Sequence, residues 1–195
     1  MIINTKEDTV SIYIDPGHGG RDGGASGSDG TKEDEIALEV SLLLREYFEG
    51  IGITVYMTRD GDYDLATQNR NRKREDIQKR VNLVNTSDVD MYLSIHLNAI
   101  GSSKWRGAQT FYYGSKNKEL AETIQGFLVE KTDTYRKAKK ISNIYLLEHA
   151  NKEGVLIEIG FLSNQTELEL LKTNKYQDQL AHTIYLGVLE YLSSK

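Results

Sequence analysis

Short apolar runs alternate with stretches of helical periodicity along this 195-residue chain, and that alternation limits the fold more than any other feature. Strand-like runs fall at 10–15, 53–58, 89–95, 107–113, 143–147 and 154–159. Apolar residues recur at helical spacing from Ile36 through Val40 and Leu44 to Tyr47, and again over 71–85, 115–131, 165–171 and 178–192. Such a pattern predicts an α/β fold: a mostly parallel, twisted sheet flanked by helices on both faces. No repeat, low-complexity tract or long linker divides the chain, so a single domain over 11–195 is expected, with 1–10 as an N-terminal tail.

A parallel sheet is covered on both faces, so a polar residue inside or just beyond one of its strands needs a reason. Four residues meet that description: Asp15, His18, His96 and Glu158. In Ile12-Tyr13-Ile14-Asp15-Pro16-Gly17-His18-Gly19-Gly20 a strand runs into a glycine turn with His18 at its tip. Pro16, the only proline, ends the strand because it has no backbone donor. Seven glycines between residues 17 and 30 mark a long loop, and Thr31-Lys32-Glu33-Asp34 has the form of a capping box at the start of a helix. His96 closes a strand whose apolar phase is Val89, Met91, Leu93 and Ile95. Carboxyl ends of parallel strands share one edge of a sheet, and open α/β sheets bind ligands there, so His18 and His96 are expected to meet.

Composition narrows what could bind between them. The chain has no cysteine, so any metal must be held by histidine, aspartate or glutamate. Of the four histidines, His149 and His182 have no partners at ligand spacing and are read as structural. A catalytic zinc takes three protein ligands and leaves a position open. The acids near His18 are Asp15, Asp22, Asp29, Glu33, Asp34 and Glu35, and composition does not choose between Glu33 and Glu35. Asp15 is better placed to fix a ligand imidazole or the turn itself.

Glu158 lies between Ile157 and Ile159 in an apolar strand. A buried carboxylate is costly unless paired, and burial raises its pKa, which suits a general base. The plainer reading is an ion pair. A His/Glu/His zinc site, one Zn2+ per chain, beside such a glutamate has the chemistry of amide hydrolysis. The net charge of −5 gives no support to nucleic-acid binding. The six basic residues between Arg70 and Arg80 read as a solvated helix face, or more sharply as a cationic surface for carboxylates.

Four ordered blocks resemble the zinc-dependent N-acetylmuramoyl-L-alanine amidases of the amidase 3 type: Asp15 to Gly20, Lys32-Glu33, Ser94-Ile95-His96-Leu97-Asn98-Ala99, and Val155 to Asn164. The resemblance implies His18, Glu33 and His96 as zinc ligands and Glu158 as the catalytic glutamate. It thereby chooses Glu33. Asp15, Asn98 and Trp105 are carried as neighbours of the metal or of substrate. Trp105, the only tryptophan, either packs on the surface or stacks on a sugar face. The implied reaction is hydrolysis of the amide between the lactyl group of muramic acid and L-alanine in peptidoglycan. A zinc carboxypeptidase or endopeptidase acting on wall peptides is the main alternative, and a non-catalytic wall-binding module is the other.

Arg72-Lys73-Arg74-Glu75-Asp76-Ile77, Trp105 to Tyr113 and Arg136-Lys137-Ala138-Lys139 are similar to the germination-specific subgroup of that family in spore formers. This implies action on spore cortex, as the first step towards muramic-δ-lactam, and in some clostridial members an extracytoplasmic lipoprotein partner. The resemblance also implies export, which members of the subgroup usually achieve through an N-terminal hydrophobic segment. Residues 1–10 are polar, so a chain trimmed of that segment, working outside the cytoplasm, is the expectation.

Overall fold

The computed structural model describes residues 10–68 and 70–195; most of the expected tail lies outside the described residues. Six strands form one sheet: β1 (Ser11–Pro16), β2 (Thr54–Met57), β3 (Met91–Asn98), β4 (Gln109–Tyr112), β5 (Lys139–Lys140) and β6 (Glu153–Phe161), in the order β2-β1-β3-β6-β4-β5. The pairs β1–β2, β1–β3 and β3–β6 are parallel, while β4 runs antiparallel to β6 and carries β5 parallel to itself. The sheet is therefore mostly parallel, as its apolar strands suggested.

Alternating side chains divide two cores. Ile12, Ile14, Leu93, Ile95, Val155 and Ile157 face a layer formed by α1 (Glu33–Glu49), α3 (Lys118–Lys131) and α6 (Asn174–Ser193). Tyr13, Tyr92 and Leu156 face α2 (Arg72–Thr86) and α4 (Tyr145–His149), which supply Val81, Val84, Leu146 and Leu147. A sixth α-helix, the short α5 (Gln165–Leu171), packs against β6. Helices thus cover both faces of the sheet.

Several elements differ from the sequence reading, each for a local reason. The apolar run at 143–147 is helix α4, not a strand. Asn143 takes a left-handed conformation (φ 69°) and its N–H donates to the Glu148 carboxylate at 2.7 Å, turning the chain into the helix. Short apolar runs do not separate strand from helix by periodicity. The edge strand β5 is only Lys139–Lys140, too short and too charged for an apolar pattern to reveal. Helix α6 starts at Asn174, because the Thr173 side chain caps the N–H of Tyr176. The capping box at residue 31 does not form. Lys32 is the N-cap with no side-chain bond, and Glu33 turns its carboxylate elsewhere.

A switch point lies between β1 and β3, since the chain leaves β1 for β2 on one side and returns to β3 on the other. The crevice at the carboxyl ends of those strands is where a doubly wound sheet binds ligands. His18 follows β1, His96 lies near the end of β3, and Glu158 of β6 is the Cα partner of His96.

Candidate metal centre

The turn after β1 is held from beneath by two buried arginines. Arg59 donates to the carbonyls of Pro16 (3.0 Å), Gly17 (2.8 Å) and Asp34 (2.8 Å), tying the turn to the start of α1. Arg80 donates to the carbonyls of Pro16 (2.6 Å) and His18. Both side chains are almost completely shielded from solvent. His18 itself is in the left-handed region (φ 58°), which costs a non-glycine residue about 1–2 kcal/mol, so these anchors are what keep it there. Gly17 is required by close approach: a Cβ on it would collide with the His96 ring.

Asp15 pairs with Arg80 at 2.8 Å and accepts from Thr58 (2.7 Å) and Ser94 (2.7 Å). These bonds link it to the arginine that holds the turn. Burial works against its charge, but Arg80 and the two hydroxyls outweigh that and hold its pKa at about 2. The folded pKa is depressed, so the pair stabilises the fold above about pH 4 and that contribution is lost as pH falls through about 2. Asp15→Asn should flatten the stability profile across that window in urea melts. At neutral pH it should cost about 3 kcal/mol, the low end for a broken buried pair, because Asp76 still holds Arg80 Nε at 2.7 Å.

Arg80 also corrects the reading of 70–80 as a solvated face. Arg80 points inward and Arg72, partly buried, pairs with Asp64, so only part of that basic run faces water; Lys73, which pairs with Asp22, stays exposed.

Glu33 stands between the two histidines. Its Oε2 lies 3.3 Å from His18 Nε2 and its Oε1 2.9 Å from His96 Nδ1. Backbone N–H groups of Ala25 (2.8 Å) and Leu97 (3.0 Å) donate one to each oxygen. This is why the carboxylate does not cap its own helix. Burial opposes its charge, yet bonds to both imidazoles hold its pKa well below the usual carboxylate range. Burial likewise opposes a charged His18, but Glu33 and then Asp22 raise its pKa to about 9. The imidazoles meet edge to face with centroids 5.1 Å apart.

Among the described residues, His18, Glu33 and His96 form a group whose ligand atoms all lie within 4.8 Å of one another. A tetrahedral ion with bonds of about 2.0–2.2 Å holds its ligand atoms roughly 3.3–3.6 Å apart, which the His18–Glu33 separation matches. A nitrogen, oxygen, nitrogen set of this kind fits zinc.

Glu158 lies beside this group. Part of the residue reaches the surface, but Oε2 is shut from solvent and has no hydrogen-bond partner among the described residues. Burial pushes its pKa up to about 7; the charges of His96 and His18 oppose that and Glu33 reinforces it. No ion pair involves it among the described residues, so the plainer reading of this glutamate is not the one found.

Asn98 and Trp105 lie at the end of β3 and in the loop that follows it. Asn98 ends β3 and its carbonyl accepts from Leu162 N–H at 2.8 Å. Trp105 is 47% exposed, with the Arg136 guanidinium 5.6 Å from its ring centroid and 4.4 Å from that of Phe161. His149 stacks on Tyr145, and His182 packs against Tyr47 and Tyr185, both away from the metal group. Sequence reasoning missed Arg59, placed in a polar loop, and Glu167, which is buried and accepts from the N–H of Gly107 (2.8 Å) and Phe161 (2.9 Å). Asn164 followed three residues later by Glu167 is a helix-start signature that could have flagged it. Asp22 was weighed as a ligand; it stands behind His18 instead, its Oδ2 3.0 Å from Nδ1.

Fold and site together define an α/β enzyme with a candidate metal centre at the switch point of its sheet. Residues 12–190 match the Amidase_3 family model, described as N-acetylmuramoyl-L-alanine amidase, and the chain belongs to that family. It is 49% identical over 191 residues to the germination-specific N-acetylmuramoyl-L-alanine amidase of Bacillus subtilis, covering 94% of this chain and 80% of that one. The CwlD amidase of Clostridioides difficile, solved in complex with the GerS lipoprotein, superposes with a TM-score of 0.93 at 40% identity, over 96% of this chain and 100% of that one. An N-acetylmuramoyl-L-alanine amidase from Clostridium difficile 630 gives 0.87 at 32% identity, over 96% and 98%. The chain is thus a cell-wall amidase and a homologue of the germination-specific type.

Proposed function

We propose that this amidase is zinc-dependent and cleaves the bond between the muramic lactyl group and L-alanine in cortex peptidoglycan, preparing the glycan for muramic-δ-lactam formation. The observation that carries the reading is the pairing of a His/Glu/His group with a glutamate on the neighbouring strand whose Oε2 is buried and unpartnered among the described residues. His18, Glu33 and His96 would hold the ion. Bound zinc supplies a Lewis acid that polarises an amide carbonyl and makes a water more acidic.

The protein's own groups do the rest. Glu158 takes the proton of the attacking water on its carboxylate, and its raised pKa lets it both accept and release that proton near neutrality. The same carboxyl group delivers the proton to the departing L-alanine nitrogen. Asp15, Arg59 and Arg80 keep the His18 turn in place throughout. The likeness to the germination-specific relatives supports the cortex as the site of action, outside the cytoplasm. The likeness to an amidase solved with a lipoprotein supports a lipoprotein partner here. No helix among the described residues is long and apolar enough to cross a membrane.

Mass spectrometry of digested cortex tests the reaction. Free lactyl ends on muramic acid, with intact stem peptides released, are expected; loss of a terminal amino acid would instead mark a peptidase. Trp105 is proposed to stack on a sugar beside the centre, its ring steadied by Arg136. Trp105→Ala should weaken binding to glycan strands by roughly 2–10-fold, the value of one aromatic contact. Unchanged affinity in a pull-down titration rejects that role.

A further inference from the structure

Helix α2 reaches the His18 turn through two side chains. Arg80 grips the turn's carbonyls from beneath. Lys73, in the first turn of the same helix, reaches it through Asp22. The two oxygens of Asp22 have separate duties: Oδ2 meets His18 Nδ1 at 3.0 Å, while Oδ1 lies 2.8 Å from Lys73 Nζ and accepts from Gly24 N–H at 3.4 Å. Asp22 and Lys73 both line the cleft that holds His18 and His96. The start of α2 is itself tied down, since Arg72 pairs with Asp64 at 2.6 Å and Glu75 accepts from the N–H groups of Thr67 and Gln68.

We propose that Asp22, held by Lys73, is the positioning residue that fixes the tautomer and ring direction of His18, so that helix α2 sets the zinc affinity of the site. This rests on the zinc reading given above. A neutral imidazole has one N–H and one lone pair. With a carboxylate at Nδ1, the proton stays on that nitrogen when the ring is neutral, and Nε2, the nitrogen 3.3 Å from Glu33 Oε2, is the one left with a lone pair for a metal. Without Asp22, the other tautomer and a flipped ring become open to His18. A lysine on Oδ1 leaves Oδ2 for the imidazole and prevents the carboxylate from rotating away. Outer partners of this kind change metal affinity by about 10–100-fold. Lys73 is 78% exposed, so its contribution is smaller, about 2–5-fold for a pair open to solvent.

Competition of the full chain against a chromogenic zinc chelator, with visible spectra of the Co2+-loaded protein, tests this. Wild type should take up one zinc. Asp22→Ala should bind it about 10–100-fold more weakly and shift the Co2+ absorption bands. Lys73→Ala should weaken binding about 2–5-fold, and Lys73→Arg should restore it. Lys73 is a surface side chain, so its substitutions report on the site even if Asp22→Ala folds poorly. Zinc affinities of Asp22→Ala and Lys73→Ala equal to that of a zinc-binding wild type overturn the proposal while leaving the zinc reading intact. A wild type that takes up no zinc overturns both.

Discussion

Replacing Glu158 by glutamine should leave zinc uptake unchanged and lower amide hydrolysis by about 10²–10⁴-fold, the usual contribution of a positioned general base. The substitution keeps size and shape but removes the proton-accepting oxygen. Glu158 is not one of the three residues in the metal group, so its loss should not disturb the ion. Oε2 is buried with no partner, and among the described residues no ion pair depends on the charge of Glu158. Stability should therefore hold or rise, because a carboxyl group whose charge is opposed by burial becomes a neutral amide. Metal content, melting temperature and turnover on cortex separate these effects in one set of samples. Parallel loss of metal and turnover would place Glu158 among the ligands instead.

His18→Ala should lose zinc and turnover together. Removing one of three ligands costs more than the roughly 10–100-fold attached to an outer partner, so the variant should be purified without metal. The fold should survive. His18 is partly exposed, and Arg59 and Arg80 grip backbone carbonyls that alanine retains. Alanine at this left-handed position changes little, since histidine already bears that strain. Circular dichroism like that of wild type, with no metal and no product, is the expected combination. Full zinc in this variant would remove His18 from the site.

The layers of the fold were legible because the hydrophobic pattern reports directly on what is buried. Ile12, Ile14, Leu93, Ile95, Val155 and Ile157 are apolar since their strands are covered, and the helical stripes from Ile36 and Leu180 face the same core. The expectation that His18 and His96 meet followed from parallel topology alone, and the switch point between β1 and β3 brings them together. Other features depend on partners distant in the chain. Arg59 and Arg80 looked like loop and surface residues, since nothing nearby shows that their guanidinium groups bond Pro16 and His18. The reversal of β4 depends on which strand it joins, which periodicity does not carry. Glu33 and Glu35 are equal by composition; the resemblance chose Glu33, and the fold puts its carboxylate against both imidazoles.

Anomalous diffraction at the zinc edge, from crystals of the full chain grown with zinc, tests the central claim most directly. The account predicts one peak per chain, bonded at about 2.0–2.2 Å to His18, Glu33 and His96, with Glu158 close by but not bonded. A peak elsewhere, or none at this group, would contradict it.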